Sequence, residues 1–253
     1  MIASLAAPEI ADAVGKDAIL CLPMGSTEQH GPHLPFDTDT VLAEAFTQEI
    51  IRRWGAKFEL WQLPSLPVGL SREHDWAKGT VSLSVETMAA QLRSIAADIA
   101  RALPGRNVAA INGHGGNRGI LEAISREFTG DFGLNFCALH LGAMMSPVEG
   151  PGFVEIHGGK DETSAMLALA PEFVRREQMT QIRPPADPKM VQALILDPAV
   201  SWPWRSDDPR IAHLGVIGDA QAASAEHGRA IVERVVGAAG GVFEQLLANK
   251  RRV

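Results

Sequence analysis

Residues 22–40, LPMGSTEQHGPHLPFDTDT, hold one glutamate, two histidines and two aspartates, with no lysine or arginine to neutralise them. Glu28, His30 and Asp39 are of the types that bind zinc or manganese, imidazole and carboxylate. A polar turn with surface carboxylates would account for any one of them, but poorly for all three behind an apolar run. Within the loop Asp37 competes with Asp39, and His33 with His30. A second loop, INGHGGN, places His114 among three glycines that permit close approach of the backbone to a ligand or to the first loop. Asn112 and Asn117 could hold this loop or orient a substrate. A third run, EIHGGKDETSAMLAL, offers His157 and Glu162. His157 is a candidate proton carrier, because imidazole titrates near neutrality. Glu162 falls in the first turn of a helix, where the dipole favours a carboxylate even without a metal. His74, in SREHDWAKGT, either lines a pocket with Trp76 or sits in a surface loop. His140 reads as a core or sheet-end residue, and His213 and His227 as surface.

The elements that must position these loops follow from periodicity. Residues 18–24, 58–64, 108–112 and 134–141 read as strands, with a further short strand at TVSLS (80–84). Helices are expected from Thr38 or Asp39 through Ile51, from Ser84 as cap through Leu103, and through Ile120, Ile124 and Phe128. Two more are expected from about Asp161 to Ala170 and from about Ala220 to Leu247. Residues 142–160 read as a Gly- and Pro-rich loop. Residues 183–212, with six prolines and two tryptophans, read as a long irregular excursion. Apolar strands alternating with amphipathic helices predict an α/β fold, a three-layer α/β/α sandwich around a mostly parallel sheet. Loops that follow buried strands place an active site at the sheet edge.

The chain has 253 residues, enough for one large domain over 1–253. Hydrophobic content of 46% and charged content of 21% are ordinary for a globular enzyme. A net charge of −7 argues against a nucleic-acid partner, and the basic tip Lys250-Arg251-Arg252 reads as a solvated tail. No run is long enough to span a membrane, and the N-terminus lacks the pattern of a signal peptide. Cys21 and Cys137 lie in apolar runs and suggest buried thiols in a reducing compartment, so the cytoplasm is the expected location. The absence of tyrosine excludes a tyrosine acid or nucleophile. There is no nucleophile elbow, P-loop or dinucleotide fingerprint; GHGGNRG lacks the lysine and spacing of a phosphate loop.

The segments LPMGSTEQHGPHLPFDTDT, SREHDWAKGTVSLS, INGHGGNRG, HGGKDETS and GVIGDAQAASAEHG, in this order over roughly residues 18–228, closely resemble the creatininase (creatinine amidohydrolase) family. The resemblance implies a single creatininase-like amidohydrolase domain with two divalent ions per chain, zinc or manganese, with iron a third option. It implies Glu28 as ligand of one ion, His30 of the other, Asp39 as the bridge, His114 as completing the first shell, and His157 as the proton shuttle. It also implies a homo-oligomer, a hexamer. Two departures stand out. Creatinine-hydrolysing members carry a glutamate two positions after the equivalent of His114, where this chain has Gly116. They also have tryptophans before the HGG motif, whereas residues 141–156 have none. Glu162 is expected to supply the missing carboxylate, as ligand or catalytic group.

The expected activity is hydrolysis of a non-peptide C–N bond in a small-molecule cyclic amide, formamide or related amide, through a metal-bridging hydroxide, with creatinine itself a poor substrate. The alternatives are a metal-dependent hydrolase or lyase of a cofactor-precursor or sugar-derived substrate, and an inactive binding or scaffold homologue.

Overall fold

The computed structural model describes residues 1–146, 155–185 and 187–249. Four strands, β1 (Ile19–Met24), β2 (Leu60–Gln62), β3 (Asn107–Asn112) and β4 (Asn135–His140), form a parallel sheet in the order β2-β1-β3-β4. β1 and β3 are buried at every position. Their sequences, ILCLPM and NVAAIN, are correspondingly apolar on both faces, as expected for strands covered on both sides.

The alternation along each strand divides the core in two. Ile19, Cys21, Ala109 and Ile111 face one helical layer, made of α1 (Thr38–Phe58), α4 (Leu141–Met145), α5 (Lys160–Leu169) and α6 (Ala225–Ala248). Leu20, Leu22, Val108 and Ala110 face the other, made of α2 (Val85–Ala102) and α3 (Arg118–Gly130). This is the expected three-layer sandwich. The expected cap at Ser84 forms, accepting from the Thr87 amide at 3.2 Å; the last helix, expected from about Ala220, is capped instead by Ser224, which accepts from the His227 amide at 3.1 Å. α6 therefore starts at Ala225, and Ala220–Ala222 is a separate 3₁₀ turn.

Several expectations need correction. TVSLS is no sheet strand: only Val81 forms a bridge, to Thr27 of the histidine loop. Its pairing partner is a loop, so it cannot extend the sheet. Leu141, read as the end of a strand, and residues 142–145 of the expected 142–160 loop are helical, because Leu141 and Met145 pack into the core beneath α6. Residues 147–154 of that loop, and the tip Lys250-Arg251-Arg252, lie outside the described residues. The Pro-rich excursion is not wholly irregular: Pro188 opens a helical turn to Val191 that continues as a π-helix through Leu196. Cys137 is half-buried rather than buried. Cys21 and Cys137 flank Ala109 across two strand pairs, a separation of roughly 10 Å that a disulfide cannot span.

α5 packs closely on α6. A Cβ at Gly228 would overlap the carbonyl of Ser164, and the Ser224 amide donates to the Ser164 hydroxyl at 3.0 Å. Gly228→Ala should therefore push the two helices apart and cost about 1–3 kcal/mol. A urea titration should show a lower midpoint with an unchanged slope; an unchanged midpoint would contradict the close packing.

Candidate metal centre

The chain reverses its direction of travel across the sheet between β1 and β3, with β2 on one side and β4 on the other. The carboxyl ends of β1 and β3 thus form the crevice where open α/β sheets bind ligands. The loop after β1 carries Glu28 and His30, and the first turn of α1 carries Asp39. β3 runs directly into His114. A Cβ at Gly113 would overlap the Asp39 carbonyl, so glycine there lets the start of α1 lie against the end of β3. The loop before α5 brings His157, and the third residue of α5 is Glu162.

These side chains converge. His114 Nδ1 lies 3.2 Å from Glu28 Oε1 and 3.1 Å from Asp39 Oδ2. His30 Nε2 lies 3.1 Å from Asp39 Oδ1 and 3.7 Å from Glu162 Oε2. The ring nitrogens that face away are occupied: His30 Nδ1 is 3.1 Å from the Glu28 carbonyl, and His114 Nε2 is 2.8 Å from the Leu70 carbonyl. With N–H donated to those carbonyls, the inward nitrogens are the ones placed to give lone pairs to a metal, the tautomer a metal-binding imidazole needs. Both Glu28 oxygens and Asp39 Oδ2 are buried with no hydrogen-bond partner. Glu28, Asp39 and His114 can converge on one point, and His30, Asp39 and Glu162 on another, with Asp39 common to both; Glu28, His30 and His157 form a third set, without Asp39.

The electrostatics carry the same message. Burial opposes charge on His30, but the carboxylates of Asp39 and Glu162 raise it to about 10. Burial is likewise outweighed at His114, which Glu28 and Asp39 hold well above the ordinary histidine range. Burial would raise Asp39 and Glu28, yet neighbouring imidazolium groups keep both below the ordinary carboxylate range. Without a metal the buried acids thus draw protons onto the two histidines, and a bound cation would take the place of those protons, since no lysine or arginine contacts the acids among the described residues. Divalent ions fit this donor set and charge deficit.

His157 is buried, and its Nε2 lies 2.6 Å from the Gln29 carbonyl, which leaves Nδ1 3.6 Å from Glu28 Oε1. Burial, and then the charge on His30, press its pKa well below the ordinary value, so it rests neutral. Glu162 accepts from the Gly158 amide at 2.6 Å, and burial raises its carboxyl to about 7.

The competing residues separate cleanly. Asp37 is exposed and makes no side-chain capping bond, whereas Asp39 is buried in the cluster. His33 turns away from His30's carboxylates to Thr163 Oγ1 at 2.8 Å. Asn112 and Asn117 hold the loop: Asn112 donates to the His114 carbonyl at 2.7 Å, and Asn117 to the Gly25 carbonyl at 3.0 Å. His74 is not in a plain surface loop; it is buried, 3.4 Å from Glu28 Oε1, and stacked on His157 at 4.0 Å. Trp76 reaches the same region through Ser206, to which its indole donates at 2.8 Å. His227, expected at the surface, is half-buried and lies 2.6 Å from Asp161.

Sequence reasoning missed Glu73. Its carboxylate lies 3.7 Å from His114 Nε2. A Cβ at Gly116 would fall 2.5 Å from His114 Nε2 and 2.8 Å from Glu73 Oε1, so this backbone has no room for a side chain at position 116. The carboxylate on that wall comes instead from a different loop, while Glu162 stands on the His30 side. The cluster opens into a cavity of about 690 Å³, one wall of which includes Trp202 and Trp204. Tryptophan, absent from residues 141–156, therefore reaches the cavity from the Pro-rich excursion.

An α/β/α sandwich with a cavity over clustered acids and histidines at its switch point defines a hydrolase-like class of site. The family model described as creatinine amidohydrolase matches residues 3–241, and the chain belongs to the creatininase family of hydrolases. It is 34% identical over 226 residues to a mycofactocin precursor peptide peptidase of Mycobacterium tuberculosis, covering 86% of this chain and 81% of the relative. It is 30% identical over 237 residues to a creatinine amidohydrolase of Pseudomonas putida, covering 86% and 85%. A solved creatininase variant described as Zn-Zn type superposes with a TM-score of 0.71 at 25% identity, covering 99% of this chain and 98% of that one. The peptidase relatives overturn one expectation: a restriction to non-peptide bonds does not hold for a chain this similar to a peptide peptidase. The residue types that bind metal do not encode what lies on either side of the scissile bond.

Among the described residues no helix is long and apolar enough to cross a membrane.

Proposed function

We propose that this chain hydrolyses an amide C–N bond with the help of divalent metal ions, in a substrate larger than creatinine, peptides included. The observation that carries the reading is the pairing of inward lone pairs on His30 and His114 with buried, unpartnered carboxylate oxygens of Glu28 and Asp39. Glu28, Asp39 and His114 would hold one ion, and His30, Asp39 and Glu162 a second, with zinc and manganese the ions that fit. Such ions, when bound, lower the pKa of water and polarise a carbonyl.

The protein supplies the rest. Neutral His157 takes a proton from the attacking water at Nδ1 and returns it to the leaving nitrogen, which would otherwise depart as an unstable anion. Gln29 fixes the ring through its carbonyl, and His74 stacks against it. The cavity of about 690 Å³ is far larger than a five-membered ring requires, which supports an extended substrate. The reading includes a homo-oligomer, as the family resemblance implies, in the cytoplasm, as the two free thiols suggest.

The deciding experiment is turnover by the manganese- and zinc-loaded protein across creatinine, formylated aminopyrimidines and short peptides. Creatinine should be the poorest of the three. Creatinine turnover equal to that of a creatininase, or no hydrolysis of any amide in the panel, would sink the proposal.

A further inference from the structure

Three arginines line the cavity, Arg72, Arg118 and Arg205. Arg118 is held by Glu122 at 2.8 Å, and Arg205 by Asp75 and Asp207 at 3.1 Å each. Arg72 makes no side-chain hydrogen bond or ion pair among the described residues, in a chain of net charge −7. It opens the 3₁₀ turn Arg72–His74, whose next two residues are the carboxylate and imidazole of the inner site. It also borders a smaller adjoining cavity of about 280 Å³, so it stands where the two spaces meet. The apolar wall of the main cavity includes Ile195, Leu196, Trp202 and Trp204.

A substrate carboxylate free to reach the inner end would compete with the scissile amide for the metal-binding groups, so a cation that holds it away from them favours the productive pose. A guanidinium without a partner presents a planar fork of donors that matches a carboxylate. We propose that Arg72 selects amides whose leaving part is an amino acid with a free carboxylate, its side chain resting on the tryptophan wall. This rests on the amide-hydrolase reading above. In the reaction the C–N bond breaks, the hydroxyl of water joins the acyl carbon and its proton joins the nitrogen, releasing the amino acid. Carboxylate is favoured over phosphate because the other two arginines are already paired, which leaves a single fork for a single monoanionic group.

The test compares N-acetylglycyl-L-leucine with its C-terminal amide on the manganese-loaded protein, by calorimetric binding and by KM and kcat. The acid should bind on the order of 10- to 100-fold more tightly than the amide. Arg72→Gln should remove that advantage while binding of the amide changes by less than about twofold, and Arg72→Lys should keep part of it. Arg72 is exposed, so these variants should retain the wild-type circular dichroism. Equal binding of acid and amide would overturn the proposal. So would an acid advantage that survives Arg72→Gln, which would place the carboxylate elsewhere. Arg72-dependent displacement by inorganic phosphate, stronger than by the acid, would assign the arginine to phosphate instead. An Arg72-dependent acid preference without hydrolysis of any amide would refute the amide-hydrolase reading and leave the anion site standing. Hydrolysis of both peptides with no effect of Arg72→Gln would do the reverse.

Discussion

Asp39→Ala should strip the protein of its divalent metal, from about two ions per chain to near none. Asp39 is the one carboxylate shared by both converging sets, with Oδ2 toward His114 and Oδ1 toward His30. Its loss leaves Glu28 and His114 as a two-donor remnant on one side, and His30 and Glu162 on the other. Neither remnant reaches the three protein ligands of an ordinary catalytic site, and the set that survives, Glu28, His30 and His157, would have to take up the histidine assigned to proton transfer, so it is not expected to hold an ion. Turnover should fall by on the order of 10³-fold or more, since the group that organises both charges is gone. Elemental analysis of gently purified protein measures the first effect. Thermal unfolding with and without manganese measures it independently, because a ligand that binds only the folded state raises the midpoint. The wild type should show that rise and Asp39→Ala should not. His30→Ala, which leaves Glu28, Asp39 and His114 intact, should retain about half the metal. Full metal content in Asp39→Ala would end the two-site reading.

The second large effect separates His157 from Glu162. His157→Ala should keep the metal and lose rate by a factor on the order of 10²–10⁴, the usual contribution of a positioned proton carrier. Glu162→Gln should lose one ion and turnover together. A carboxylate that merely favours a helix start is worth only about 0.3–1 kcal/mol of stability and nothing in rate. The geometry argues for more: Glu162 is half-buried against the cluster, and its oxygen 3.7 Å from His30 Nε2 also accepts the Gly158 amide. A Glu162→Gln protein with full activity and full metal content would return Glu162 to the helix-start role. A His157→Ala protein that loses metal would make His157 a ligand, which its Nδ1 position 3.6 Å from Glu28 allows.

The layered architecture was legible because its signals are local. Apolar runs of strand length at 18–24 and 108–112 and helical periodicity from Met88 to Leu103 each read from a few consecutive residues, and Ser84 reads as a cap from its neighbours alone. TVSLS failed for the opposite reason. Its β-prone composition says nothing about its partner, and its one β-bridge is to Thr27 of a loop. Residues 188–196 failed because six prolines over 183–212 outweigh a short helical stretch, although proline is well tolerated in a first helical turn.

Sequence by itself determined the family, the parallel α/β plan and the chemistry of the loops, because ligand types clustered after buried strands remain visible in one dimension. It left open which of two neighbours turns inward. Asp39 over Asp37 was decided by the start of α1 lying against the end of β3, and His30 over His33 by the hydrogen bond of His33 to Thr163 on α5. Only tertiary structure could bring Glu73 to the wall beside Gly116, or Trp202 and Trp204 over the same cavity as His114. Those contacts join segments tens of residues apart, and side chains that meet through chain crossing leave no periodicity to read.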